Sequence, residues 1–224
     1  MYLTRFRFNT ARRGARSLLA SPQRLHAAVL HGFPNPDQLN TADMRLLWRV
    51  DRASRHDALI YLVSPEAPDL THMVEDAGWP IRNDGWESRP YGPLLARLQE
   101  GQHWAFRLTA NPVTHTYSAQ NPDKRKWLGH VTVDQQIQWL LDRSDKFGFE
   151  IDKGEAGGYN LSVSNRETLE FKRARHGKPV TIRTATFDGV LSVTNTERLE
   201  WALNKGIGRA KAYGCGLMTL APAE

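Results

Sequence analysis

Cysteine is almost absent from this 224-residue sequence, and the single one, Cys215, excludes an intrachain disulfide as well as the thiolate clusters of structural zinc sites. Long apolar runs are missing too. The longest, ALIYLV at 58–63, falls far short of the ~20 residues that a membrane-spanning helix requires. The opening MYLTRFRF alternates instead of forming the apolar core of a signal peptide. A folded, cytoplasmic protein without a membrane partner is the expectation. Acidic residues are the scarcer charge, 24 against 30 Lys plus Arg, and the resulting +6 favours polyanionic partners without naming one. With 12 prolines and 17 glycines scattered along the chain, there is no short-period repeat and no low-complexity tract.

What is present is a repeated order of elements. In YLTRFRFN, Tyr2, Thr4, Phe6 and Phe8 alternate with Leu3, Arg5, Arg7 and Asn9, the period of a strand with one buried face. Ser21-Pro22 then reads as an N-cap and first helical position, followed by Leu25, Ala28, Val29 and Phe33 at helical spacing until Pro34. LLWRVDR (46–52) and ALIYLVSP (58–65) form a strand pair, followed by a weak helical segment at 69–76 and a strand near 79–87. After QEGQ at 99–102, WAFRLTANP alternates again, and residues 133–147 carry a helical stripe of Ile137, Leu140 and Leu141. Further strands follow, with Asp188-Gly189 as a turn signal between them, and Thr194 to Glu197 reads as a capping box before a helix ending at Gly206. Both halves resolve as β-α-β-β-α-β. The expected class is α+β with tandem ferredoxin-like (RRM-like) βαββαβ domains, the first over 1–92 and the second over 99–224.

GIGRAKAYGCG, at 206–216, concentrates Gly206, Gly208, Gly214 and Gly216 around Arg209 and Lys211. It fits no dinucleotide or P-loop fingerprint: position 211 is Lys where G-x-G-x-x-G needs Gly, and no GK[ST] follows. The order is also reversed, since here a helix ends and a strand begins, so a phosphate would not meet a helix N-terminus. Two readings remain. The glycines let a phosphodiester chain approach the backbone while Arg209 and Lys211 supply charge, or they cap the helix and ease a tight, buried strand.

LNKGIGRAKAYGCGLMTLAP, at 203–222, resembles the glycine-rich C-terminal signature of the CasE family of CRISPR repeat endoribonucleases from Cascade-type (type I-E) systems. MYLTRFRFN, LHAAVLHGFPN, FRLTANP and FDGVLSV follow the family's order and spacing, so the resemblance spans essentially the whole chain. It implies two ferredoxin-like domains and a metal-independent endoribonuclease without cofactors. Such an enzyme cuts precursor CRISPR RNA at the 3′ base of the repeat hairpin and leaves a 2′,3′-cyclic or 3′-phosphate and a 5′-hydroxyl. It also implies retention of the hairpin within a complex with other Cascade subunits, and contact with target DNA only indirectly through that complex.

Metal-free cleavage of RNA needs a base for the ribose 2′-OH, stabilisation of the phosphorane and an acid for the departing 5′-oxygen. Of eight histidines, His26 matches the family's catalytic position, with promotion of the 2′-OH attack as its expected role. His31 matches a position the family often fills with a basic residue; about 140° of helix separates the two, too far apart for an i, i+4 metal pair. His31 is a supporting group or a solvent-facing boundary residue. Gln23 stands where the family commonly has tyrosine, and an amide is neither acid nor base at neutral pH. That departure keeps open a weak or inactive hairpin-binding assembly subunit as the alternative function. For RNA binding, the resemblance singles out the 169–183 hairpin with Lys172, Arg173, Arg175, His176, Lys178 and Arg183. Lys124, Arg125 and Lys126 form a second basic cluster in what reads as a loop, and the neighbouring Trp127 is a base-stacking side chain or a half-buried anchor.

Overall fold

The computed structural model describes residues 1–42, 44–54, 56–79, 85–118, 121–154, 157–172 and 179–223, with backbone alone at 53, 116–118, 121–127, 172 and 179. The first half runs β1 (Tyr2–Asn9), α1 (Arg13–Leu19), α2 (Pro22–His31), β2 (Leu47–Ser54), β3 (Asp57–Ser64), α3 (Thr71–Ala77), β4 (Trp86–Pro90) and the short α4 (Gly92–Leu95). Its antiparallel sheet has the order β2-β3-β1-β4, the ferredoxin-like arrangement. Alternation in β1 works as its sequence dictates: Thr4, Phe6 and Phe8 are buried, and Arg5 and Arg7 are exposed. Ser21 caps α2 by accepting the Arg24 N–H at 3.4 Å, and Leu25 and Val29 bury the helix against the sheet. The weak segment is a helix, α3, anchored by Met73 and Ala77. α1 has no counterpart in the sequence pattern because Ala15 is its only buried residue, too little for a readable stripe.

The second half runs β5 (His103–Ala110), β6 (Val113–Ser118), β7 (Asn121–Gly129), α5 (Val133–Ser144), β8 (Phe149–Ile151), β9 (Leu161–Lys172), β10 (Pro179–Val193), α6 (Thr196–Lys205) and β11 (Met218–Pro222). The order β11-β5-β10-β8 repeats the ferredoxin-like path, β9 pairs with β10, and β6–β7 is a separate hairpin. Three expectations change. Asp188-Gly189 is not a turn, because β10 is held extended through it by β5 on one edge and β9 on the other. A Cβ at Gly189 would stand 2.3 Å from the Asn160 carbonyl, so close strand approach explains that glycine. The cap of α6 is Asn195, whose side chain accepts the Arg198 N–H at 2.9 Å, in place of a box starting at Thr194. Lys124, Arg125 and Lys126 lie on a strand instead of a loop, since β7 pairs with β6 through them.

The two sheets are tied together. Leu47, Val63 and Tyr91 from the first half share one core with Phe106, Leu108, Trp139 and Phe187 from the second. Arg49 on β2 crosses between them with every guanidinium N–H used. It makes a fork to Asp51 (2.7 and 2.9 Å) and donates to the Arg107 carbonyl (2.7 Å), the Leu217 carbonyl (3.1 Å) and Thr219 Oγ1 (2.9 Å). Successive residues of a strand face opposite ways, so Arg49 grips β5 and β11 while its neighbour Trp48 packs in the core beneath α2.

Candidate active site

α2 presents His26 to the Trp48 indole, whose Nε1–H donates to His26 Nδ1 at 3.4 Å. Trp48 is only 3% exposed, and behind it Gly214 comes so close that a Cβ there would lie 2.6 Å from the indole ring. One tryptophan therefore links the histidine to the glycine-rich loop. Burial lowers the His26 pKa from 6.5 and the nearby Arg45 guanidinium lowers it further, so the ring is neutral at physiological pH. With Nδ1 accepting from Trp48, the neutral ring carries its proton on Nε2.

The 206–216 loop divides its charges between two clefts. Arg209 lines one with Arg183, between the β6–β7 hairpin and the β9–β10 arm. Lys211 lines another of about 240 Å³ with Arg45, Lys205 and Trp201. Lys211 is half-buried, with its stem over Gly216, and its pKa is lowered by burial and by Arg45 and Lys205. The 3₁₀ turn Lys211–Tyr213 packs against α2, which brings this cation cluster beside the histidine helix. Arg45 carries no motif, and Lys205 lies within the 203–222 signature without being one of its marked glycines or cations. Only the tertiary fold gathers them.

All four loop glycines have positive φ, from +76 to +91. A Cβ at Gly206 would meet Leu47 at 2.7 Å, at Gly208 the Trp139 ring at 3.1 Å and at Gly216 the Ile207 carbonyl at 2.8 Å. Backbone geometry and packing account for these glycines without RNA. This geometry supports the second reading, in which the glycines serve the loop's own backbone and packing. Gly208→Val places a branched residue at φ +83 against a buried indole and is expected to cost roughly 2–4 kcal/mol. A thermal melt within 2 °C of wild type, with RNA affinity lost, would restore the RNA-facing reading.

His31 lies at the exposed end of α2 and stacks edge-on against His72 (4.9 Å), away from the Trp48 contact. Gln23 is half-buried one turn before His26. Lys172 ends β9, while Arg173, Arg175 and Lys178 lie outside the described residues; of Lys124, Arg125 and Lys126 the backbone alone is described. Ser192, His103 and Asp152 cluster elsewhere, but serine and carboxylate both meet His103 Nδ1 (3.2 and 2.6 Å). A nucleophilic triad needs them on opposite ring nitrogens.

The model of the CRISPR associated protein family matches residues 1–222. The CRISPR-associated endoribonuclease Cse3 of Thermus thermophilus is 29% identical over 99% of this chain and 100% of its own length. The CRISPR system Cascade subunit CasE of Escherichia coli is 27% identical over 88% of this chain and 90% of its own. Among solved structures, Thermus thermophilus Cse3 bound to an RNA representing a pre-cleavage complex has a TM-score of 0.76 at 27% identity, covering 99% of this chain and 98% of that one. Among the described residues, no helix is long and apolar enough to cross a membrane.

Proposed function

Because this chain belongs to the CRISPR associated protein family, we propose that it is the endoribonuclease that cuts precursor CRISPR RNA at the 3′ base of each repeat hairpin and then holds the product within a cytoplasmic Cascade complex. The observation that carries this is the end-to-end match to an endoribonuclease whose fold is shared in an RNA-bound, pre-cleavage state. Residues 1–92 supply the histidine helix, and 99–224 supply the β9–β10 arm and the loop that carries Arg209 and Lys211.

In the reaction the ribose 2′-oxygen loses its proton and bonds to phosphorus, the P–O5′ bond breaks, and the 5′-oxygen takes up a proton. His26 is the principal proton-transfer group. Its bond from Trp48 changes the half of the reaction it suits: the neutral ring offers Nε2–H to the departing 5′-oxygen, whereas a base role at Nδ1 requires Trp48 to let go. Arg45 and Lys211 supply fixed positive charge for the phosphorane beside it. Gln23 adds hydrogen bonding without proton transfer.

Two tests follow. In EDTA, the repeat RNA is expected to be cut to a 5′-hydroxyl product, and the same RNA with 2′-deoxyribose before the cut is expected to survive. Binding without cutting of either RNA would favour the inactive assembly subunit. For the stem, Lys172, Arg173 and Arg175 replaced together by Ala should weaken hairpin binding and reduce the salt slope by roughly one per lost phosphate contact. An unchanged slope would place the stem site elsewhere.

A further inference from the structure

The cleft on the Lys211 side of the loop has the makings of a nucleotide site. Its walls are Asn40, Thr41, Met44 and Arg45 on one side and Trp201, Lys205 and Lys211 on the other. Among the described residues that line it, none is acidic. Lys205 is steadied by donating to the Thr41 carbonyl at 2.7 Å, and Arg45 by its backbone N–H to the Asn204 carbonyl at 3.2 Å. Burial lowers the Lys211 pKa, and Arg45 and Lys205 lower it further, a cost that an anion between the three would reduce. Trp201 is 50% exposed, yet its ring is fixed by stacking on the buried Phe147 (6.2 Å, 15° between planes). A rigid, half-open indole at the edge of a cationic cleft is a stacking platform for a base.

We propose that this cleft is a subsite for the unpaired nucleotide on the 3′ side of the cut, with its base against Trp201 and the phosphate that follows it at Lys205, next to the reacting phosphate at Arg45 and Lys211. The inference rests on the endoribonuclease reading and adds a specificity site to it. Position favours RNA over an acidic protein surface: Lys211 lines the cleft and starts the 3₁₀ turn that packs against α2, the helix that carries His26. Arg183 and Arg209 line the separate cleft by the β9–β10 arm, which leaves the Trp201 side for the strand leaving the stem. A base held just beyond the cut helps align the departing 5′-oxygen. That contact goes with the leaving fragment, so it favours the precursor over the retained hairpin.

The test uses three uncleavable hairpins with 2′-deoxyribose before the cut: one ending there, one extended by three unpaired nucleotides, and one extended with an abasic first nucleotide. Wild-type protein is expected to bind the fully extended RNA about tenfold more tightly than its abasic counterpart. Trp201→Ala should equalise the two, Trp201→Phe should keep part of the preference, and Lys205→Ala should lower the extended-to-short ratio. No preference in the wild type, or a preference that survives Trp201→Ala, overturns the inference. So does such survival with failure of the variant to assemble with other subunits, which would make the Trp201 face a protein contact. Should Trp201→Ala not fold, Lys205→Ala decides alone, an unchanged ratio being the adverse result. A wild-type protein that cuts the hairpin but ignores the extension defeats only this inference. One that binds no hairpin defeats the endoribonuclease reading with it.

Discussion

Replacing His26 with Ala is expected to slow cleavage of the repeat hairpin by about 10² to 10⁴, the usual scale for a positioned proton-transfer group. Hairpin affinity should stay within about threefold, because many phosphate contacts outweigh one neutral ring. The Trp48 hydrogen bond sharpens the expectation. If Nε2–H serves the departing 5′-oxygen, an RNA with sulfur at that bridging position, whose thiolate leaves without a proton, should bring the variant to within about tenfold of wild type. An undiminished penalty on the sulfur substrate would return His26 to the base role at the 2′-OH. Wild-type cutting by His26→Ala on ordinary RNA would remove it from the reaction. Gln23→Tyr approaches the site from the other side and should speed cleavage without tightening binding, if the missing phenol limits the rate.

The lowered His26 pKa has a stability consequence of definite sign. Below the ordinary value of 6.5 the unfolded chain takes up a proton that the folded site resists. The contribution is therefore whole above pH 6.5 and is lost as pH falls through the lower folded value. Arg45→Met removes part of the cause and should raise the His26 pKa, which histidine NMR titration can follow.

Legibility in the sequence tracked the range of the interactions involved. β1 and α2 could be read because alternation, a Ser-Pro cap and an apolar stripe are local, and the fold supports what they dictate. Asp188-Gly189 misled for the opposite reason: turn chemistry gave way to pairing on both edges of β10, which joins residues far apart in sequence. The glycine loop was conspicuous, but what each glycine faces was not, since Leu47, Trp48 and Trp139 come from distant elements. Arg209 and Lys211, two residues apart, looked like one basic cluster and face different clefts. Arg45 and Trp201 gave no signal because nothing in their local sequence marks them off from ordinary surface residues, and Lys205, within the 203–222 signature, reads there as an ordinary helix-end lysine. Closing β2 onto the C-terminal loop is what gathers them in one cleft, beside the turn that packs against α2.

That closure depends on Arg49, and Arg49→Ala is expected to destabilise the protein by roughly 3–5 kcal/mol, lowering the melting temperature by about 6–20 °C. The side chain is 2% exposed and its five N–H groups are all used. Truncation leaves Asp51 without its fork, takes a donor from the Arg107 and Leu217 carbonyls and opens a void between the sheets. Arg107, 3.7 Å from Asp51, is only a partial replacement because it also serves Asp188. Lysine should rescue little, since three donors at one point cannot reproduce a planar fork together with contacts to β5 and β11. Removing the carboxylate as well, in Arg49→Ala/Asp51→Ala, should recover part of the loss by relieving the stranded charge. Cleavage should suffer beyond what unfolding explains, measured well below the melting temperature, because the same strand holds Trp48 between His26 and Gly214. A melting temperature within 2 °C of wild type would mean that the shared hydrophobic core alone holds the sheets together, with Arg49 adding little to its closure.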